Sequence, residues 1–236
     1  MIEFVFLDAG ETLLRPHPSF HELFAQVCRG YGREVAPGEV QEIQERLAPH
    51  LVDLAEETGV ENPSLSAEAS RTFWTYLYRR FLEALGIEDD GLSLELYSTF
   101  SSSSSYRLFD DVLPALDRLK EGGYRLGLIS NFEGWLEEML VELEVGHLFD
   151  AAVISGVEGV EKPDPRIYEL AIARVKVPAE AAVHVGDSVV LDVRPALSVG
   201  MKAVLLDRAA RYAQMDLGDV PRISSLEELP PLVANL

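Results

Sequence analysis

The chain contains five short runs that are almost continuously apolar. Such runs, unlike alternating ones, are typical of parallel strands covered on both faces. The predicted strands are Glu3–Leu7, Tyr124–Ile129, Ala151–Ile154, Ala182–Val185 and Ala203–Leu206. Helical periodicity alternates with the later strands, at Asp111–Glu121, Phe132–Val145, Asp164–Val175 and Val189–Val199, with a last short helix at Ser225–Val233. This alternation predicts an α/β fold with a doubly wound, mainly parallel sheet of right-handed βαβ units.

Residues 8–123 separate the first two predicted strands and carry no comparable strand pattern. They show helical periodicity instead, at Phe20–Tyr31, Glu39–Glu57, Ser66–Leu85 and Leu92–Phe100. We therefore predict an α-helical domain at 15–105, inserted into a Rossmann-like core of 1–14 and 106–236. The five consecutive serines Ser101–Ser105 predict a flexible connection, because serine favours local hydrogen bonds over helix and buries little surface. This connection is either a hinge between the two domains or a plain surface loop.

Composition places the chain among globular proteins and narrows its partners. Of its 236 residues 47% are hydrophobic and 25% charged, and the net charge is −20 at pH 7. Such a field repels nucleic acid and anionic membranes, so neither is an expected partner. The sequence shows neither a secretory signal nor 18 consecutive apolar residues, so we expect a cytoplasmic protein. It leaves open whether the protein is a monomer or a homodimer.

Polar side chains follow four of the predicted strands at their carboxyl ends, where parallel sheets bind ligands. They are Asp8, then Ser130 and Asn131, then Lys162, and last Asp187 and Asp192. These residue types suit phosphoryl transfer, in which Asp8 attacks phosphorus and forms an aspartyl-phosphate. Asp8, Asp187 and a carbonyl near Gly10 offer the oxygen ligands that Mg²⁺ prefers, and Lys162 adds a fixed cation.

Further residues are candidates for binding the phosphate oxygens of a substrate. Ser130 and the amide of Asn131 lie at the start of a predicted helix, where backbone amides bind anions. Thr12 either does the same or braces its own loop. Arg15 either reaches substrate or makes an ion pair at the surface. His184 falls inside a predicted strand, and we interpret it as a core histidine whose hydrogen bonds are satisfied.

Four motifs in this order resemble those of the haloacid dehalogenase-like superfamily, and the resemblance covers essentially the whole chain. They are Asp8-Ala-Gly-Glu-Thr12, then Ser130, then Lys162, then Gly186-Asp-Ser-Val-Val-Leu-Asp192. The resemblance implies that the inserted helices are a mobile cap over a small phosphorylated substrate. It implies Asp8 as nucleophile, Asp187 and the Gly10 carbonyl as Mg²⁺ ligands, and Asp192 as support for the metal, directly or through water.

The first motif departs from that of the family's phosphatases. They carry a second aspartate, a general acid and base, where this chain has Gly10. Loss of such a group typically costs about 10²–10⁴-fold in rate. We hypothesise that Glu11 partly replaces it; the alternative is that Glu11 is a solvated loop residue. If proton donation is weak, the reaction rate should fall least for substrates with good leaving groups.

Two other functions fit the same sequence. In a 2-haloacid dehalogenase a similar aspartate attacks carbon, no metal is needed, and an aromatic residue stands at the position of Gly10. The acidic pair Asp187 and Asp192 favours phosphate chemistry over this reading. The third function is a regulatory protein that binds phosphate and metal but turns over poorly, which Gly10 would favour.

Overall fold

The computed structural model describes the backbone of residues 1–236 and all side chains except those at positions 49, 51 and 52. The chain divides into two compact units, Met1–Leu14 with Leu108–Leu236 and Arg15–Arg107. We call them the core unit and the inserted unit. The second boundary lies two residues after the predicted one. Strands β2 (Leu14–Pro16) and β3 (Tyr106–Leu108) pair with each other where the chain passes between the units.

The core unit contains a six-stranded sheet in the order β5-β4-β1-β6-β7-β8. Its strands are β1 (Phe4–Leu7), β4 (Arg125–Ser130), β5 (Ala151–Ile154), β6 (Ala182–Gly186), β7 (Lys202–Leu206) and β8 (Arg222–Ile223). Every pairing is parallel. The five predicted strands and the doubly wound fold class are confirmed. Strand β8 escaped prediction because two residues are too few to show a pattern.

Helices connect these strands and cover the sheet. Those of the core unit are α6 (Val112–Glu121), α7 (Leu136–Glu142), α8 (Ser155–Glu158), α9 (Pro165–Val175), α10 (Arg194–Ser198) and α11 (Leu229–Val233). Alternate strand residues pack on the two faces; Phe4 and Phe6 join Tyr168 of α9 in one buried cluster. At Gly127 a Cβ atom would lie 2.7 Å from the rings of both phenylalanines, so only glycine lets the rings pack against β4.

The inserted unit is helical, as predicted. Its helices are α1 (Phe20–Gly30), α2 (Pro37–Leu47), α3 (Leu51–Thr58), α4 (Ala67–Ala84) and α5 (Asp90–Phe100). Ser19, Ser66 and Asp89 cap α1, α4 and α5 by accepting hydrogen bonds from backbone amides of the first turn. The apolar faces of these helices pack around the buried rings of Phe24 and Phe81. The inserted unit therefore has its own core.

One expectation for the inserted unit was wrong. The single helix predicted at Glu39–Glu57 is interrupted by a 3₁₀ turn at Ala48–His50, where the proline at position 49 supplies no amide hydrogen. The serine run contains a short turn, since Ser103–Ser105 form a 3₁₀ helix and the Ser105 hydroxyl donates to the Thr99 carbonyl at 2.6 Å; its flexibility stays a prediction. No helix of the described residues is long and apolar enough to cross a membrane.

Candidate active site

Asp8 stands directly after β1, at the centre of the carboxyl edge of the sheet. Strand β1 lies between β4 and β6, and the Asp8 amide donates to the Val185 carbonyl at 2.9 Å, which continues the pairing with β6. On the other side, the Ser130 hydroxyl at the end of β4 donates to Asp8 Oδ1 at 3.0 Å. The sheet thus fixes a buried carboxylate between groups from two neighbouring strands.

Lys162 is the cation of the site and is almost completely buried. Its Nζ donates to Asp8 Oδ1 and to Asp192 Oδ1, each at 2.7 Å. Burial alone would lower the pKa of Lys162, but the carboxylates of Asp192 and Asp8 raise it. The lysine therefore stays charged and joins residues from two strand ends.

Asn131 holds the backbone of this lysine. Its Nδ2 donates to the Lys162 carbonyl, and its Oδ1 accepts from the Lys162 amide, each at 2.7 Å. The expectation that Asn131 begins a helix is wrong, because α7 begins only at Leu136. The residues between them form a loop, so no helix end supports phosphate binding by the Asn131 amide. A role of that amide in binding phosphate stays a prediction.

Asp192 is buried, and both oxygens of its carboxylate already have hydrogen-bond partners. Its Oδ1 contacts Lys162 and lies 3.0 Å from His184 Nε2, while its Oδ2 accepts from the Ser188 amide at 2.9 Å. A π-helical turn at Val189–Val193 carries it. Burial alone would raise the pKa of Asp192, but Lys162 and His184 hold it below its ordinary value.

The turn brings Asp192 so close to the end of β6 that a Cβ atom at Gly186 would lie 2.2 Å from the Asp192 Cγ. This explains the glycine of the fourth motif. His184 Nδ1 has no hydrogen-bond partner among the described atoms, so the interpretation of His184 as a fully satisfied core histidine is wrong for this nitrogen.

Asp187 follows β6 and pairs with Arg211. One guanidinium nitrogen of Arg211 donates to both Asp187 Oδ2 and the Asp187 carbonyl. Burial, together with the carboxylates of Asp8 and Asp192, raises the pKa of Asp187 to about 7, and Arg211 acts in the opposite direction. The same burial raises the pKa of Asp8, where Lys162 is the opposing charge.

These three aspartates fit a divalent cation. One oxygen from each of Asp8, Asp187 and Asp192 lies within 4.8 Å of the other two. Hard carboxylate oxygens are the ligands that Mg²⁺ prefers. The described groups donate no hydrogen bond to Asp8 Oδ2, and Arg211 takes only Oδ2 of Asp187, so Asp8 keeps one oxygen open for chemistry and Asp187 keeps one for a metal. Burial first, and then the neighbouring carboxylates, raise the pKa of Asp8 and of Asp187, and a cation would offset both effects by favouring the charged forms.

The remaining predicted residues of the first motif lie in the loop after β1. Gly10 pairs with Leu14 in an isolated bridge, and a Cβ atom at Gly10 would meet nothing within 4 Å. Glu11 is exposed and has a φ of 54°. Its negative charge contributes to the raised pKa of Arg211. Thr12 is buried, and its hydroxyl has no hydrogen-bond partner among the described groups.

The structure leaves the roles of these loop residues as predictions, including the Gly10 carbonyl as a metal ligand and phosphate binding by Thr12. Arg15 belongs to the inserted unit, and its contact with substrate also stays a prediction.

Arg211 is a residue of the site that was not predicted from the sequence. It follows β7, whose carboxyl end lies at the same edge of the sheet, and the buried carboxylate of Asp207 fixes its amide at 2.8 Å. The rule that located the other residues, that ligands bind beyond strand ends, would have found it if applied to this fifth strand.

The fold and site define an α/β protein with a carboxylate and lysine cluster at the carboxyl edge of a parallel sheet. The chain belongs to the haloacid dehalogenase-like hydrolases, whose family model matches residues 2–200.

Several known proteins are similar to this chain over all or part of its length. The haloacid dehalogenase-like hydrolase domain-containing protein 3 of Danio rerio is 29% identical over 234 residues, covering 97% of this chain and 95% of its own. A glyceraldehyde 3-phosphate phosphatase of Methanopyrus kandleri is 39% identical over 111 residues, 46% of each protein. The crystal structure of a 2-haloacid dehalogenase from Pseudomonas syringae superposes with a TM-score of 0.64 at 26% identity, covering 100% of this chain and 99% of that one.

Proposed function

We propose that the protein is a Mg²⁺-dependent phosphatase of a small phosphorylated molecule, acting through an aspartyl-phosphate on Asp8. The observation that carries this proposal is that the two oxygens of the Asp8 carboxylate have different surroundings. Its Oδ1 is held by Lys162 and Ser130, while Oδ2 remains for attack beside the carboxylates of Asp187 and Asp192. The phosphatase activity in the name of the Methanopyrus kandleri relative supports it.

In the first step Asp8 attacks phosphorus, a P–O bond to Asp8 forms, and the P–O bond to the leaving group breaks. Lys162 neutralises charge beside the attacking carboxylate, and the Ser130 hydroxyl orients it. In the second step water attacks phosphorus, the P–O bond to Asp8 breaks, and inorganic phosphate leaves. The leaving-group oxygen takes up a proton in the first step, and the attacking water loses one in the second.

Asp8, Asp187 and Asp192 would hold Mg²⁺ between their carboxylates, with one Asp8 oxygen kept for the attack on phosphorus. The ion supplies positive charge that offsets the repulsion between the anionic nucleophile and the phosphate. In a chain of net charge −20 this local charge is needed, because Lys162 is already shared between two carboxylates.

We assign the proton transfers to Glu11. Gly10 has no side chain that can carry a proton, and Glu11 is the adjacent acidic residue. Burial alone would lower the pKa of Arg211, but Asp187 and, to a smaller extent, Glu11 raise it, and Arg211 in turn contacts Asp187. The exposure of Glu11 favours exchange of its proton with solvent.

The assignment of Asp8 is tested with a panel of phosphorylated metabolites that includes glyceraldehyde 3-phosphate. We expect Mg²⁺-dependent release of phosphate by the wild type and its loss in Asp8→Asn. Asp219→Asn, an exposed change of the same type, is the control. Activity that Asp8→Asn retains would contradict the proposal.

The role of Glu11 is tested by two substitutions and two classes of substrate. We expect Glu11→Gln to lower kcat about 10-fold or more on alkyl phosphates, and less on aryl phosphates, whose leaving groups need less protonation. Gly10→Asp fits sterically, because the position of its Cβ is open. An unchanged rate in Glu11→Gln, together with a large gain in Gly10→Asp, would show that Glu11 does not replace the missing acid.

A 2-haloacid dehalogenase is the second candidate. The likeness to the Pseudomonas syringae enzyme over the whole chain favours it, as does the absence of a second aspartate at Gly10. Dehalogenation of 2-chloropropionate that survives treatment with EDTA would identify this activity. Binding of Mg²⁺ and phosphate without turnover of either substrate class would identify the regulatory alternative.

A further inference from the structure

Arg211 shares a carboxylate with the proposed divalent cation. Its guanidinium donates to Asp187 Oδ2 and to the Asp187 carbonyl, and the other oxygen of Asp187 is left for the metal. Asp187 is a ligand in the proposed function, so the inference below rests on that proposal. The guanidinium occupies one oxygen of the Asp187 side chain, and the ion would take the other.

The backbone of Arg211 is held by hydrogen bonds, whereas its side chain is partly exposed to solvent. The buried carboxylate of Asp207 accepts from the amides of Arg211 at 2.8 Å and Tyr212 at 2.9 Å, which pins the backbone. The side chain itself is 53% exposed. Its guanidinium lies 5.6 Å from the centre of the Tyr212 ring, and Glu11 contributes to its charge environment. The guanidinium is thus partly open to solvent and lies beside an aromatic ring.

We propose that Arg211 is a built-in competitor of the divalent cation for Asp187, a positioning residue that weakens metal binding without contacting substrate. A guanidinium and a divalent ion on the same carboxylate repel each other, and this repulsion acts in a partly buried site where water screens charge poorly. The carboxylate of Asp187 is only 17% exposed, so its surroundings hold it in place without the half-exposed guanidinium. Removal of Arg211 then mainly removes the competing charge, and metal binding tightens.

The test is calorimetric titration of Mg²⁺ and of Mn²⁺ into the full chain. We expect Arg211→Gln and Arg211→Met to bind metal about 10-fold tighter than the wild type. Arg211→Met keeps an unbranched apolar side chain without the charge, and Arg211→Lys keeps the charge, so the lysine variant should stay close to the wild type. Arg166→Gln is the matched control, because Arg166 pairs with Asp164 and does not contact the three aspartates.

The outcomes separate this inference from the function on which it rests. If the wild type binds metal and Asp187→Asn abolishes binding, yet both neutral Arg211 variants bind equally or more weakly, the competitor role is wrong and the metal site stands. If the lysine variant tightens as much as the neutral ones, charge is not the cause and the inference also fails. If the wild type binds no metal, both proposals fall together.

Discussion

Replacement of Gly186 by alanine tests whether the connections of Asp192 are rigid. The new methyl carbon would lie 2.2 Å from Asp192 Cγ and 2.5 Å from its Oδ2, contacts that force the carboxylate to move. The backbone φ of Gly186 is not positive, so alanine introduces no strain of its own. Any effect therefore reports the displacement of Asp192 from Lys162, from His184 and from the amide of Ser188.

The size of the effect follows from the burial of the ion pair. Lys162 and Asp192 side chains are 3% and 2% exposed, and separating one partner of such a pair costs about 3–5 kcal/mol. Lys162 keeps Asp8, so we expect the lower end, a loss of about 3 kcal/mol in the free energy of unfolding. With a slope of about 2 kcal/mol per M, the urea midpoint should fall by about 1.5 M.

Urea unfolding followed by far-ultraviolet circular dichroism measures this loss. Gly134→Ala is the control, since its Cβ would make only an ordinary contact at 3.7 Å with Val157. If Gly186→Ala unfolds at the same urea concentration as Gly134→Ala, Asp192 moves freely and the account of a rigid carboxylate and lysine cluster is refuted.

Two further predictions concern stability away from the cluster. Burial alone would raise the pKa of Asp111, but its two bonds from Arg208 and its other donors lower it below the ordinary 3.8. Ionised Asp111 therefore stabilises the fold above about pH 4, and this contribution disappears as the pH falls further. We expect Asp111→Asn to cost about 2–3 kcal/mol at neutral pH and little near pH 3, measured by urea unfolding. Gly127→Ala should cost about 1–3 kcal/mol, because its methyl group overlaps Phe4 and Phe6.

Each of these has a clear contrary result. A penalty for Asp111→Asn that is the same at both pH values would show that the ionised carboxylate does not carry the effect. A Gly127→Ala protein as stable as the wild type would show that the two rings can repack.

The sequence was sufficient to predict the sheet because each long strand is an unbroken apolar run. Burial on both faces imposes that pattern, and the boundaries at Ala151–Ile154 agree residue for residue. Three strands were not predicted, namely β2, β3 and β8. Each has only two or three residues, which is too short to show a hydrophobic pattern. The π-helical turn at Val189–Val193 was predicted as ordinary helix, since both present apolar residues at similar intervals.

The candidate site was predictable as far as the strand-end rule extends. That rule brings together Asp8, Ser130, Lys162 and Asp187, which come from different strands. It says nothing of contacts between distant side chains and backbone, such as the hold of Asn131 on the Lys162 backbone. Such contacts depend on how loops close in three dimensions and leave no periodic trace in the sequence.

The central claim is that Asp8 attacks phosphorus and that water then attacks phosphorus too. A single turnover with an aryl phosphate in water enriched in ¹⁸O, quenched in acid during and after turnover, tests both steps, with mass spectrometry of the peptide that contains Asp8 and of the released phosphate. We predict a phosphorylated Asp8 peptide during turnover, and afterwards ¹⁸O in the phosphate and none in the Asp8 carboxylate. Turnover without a phosphorylated Asp8 peptide would contradict the first step. Label in Asp8, or phosphate released without label, would contradict the second step, since either places the attack of water at an atom other than phosphorus.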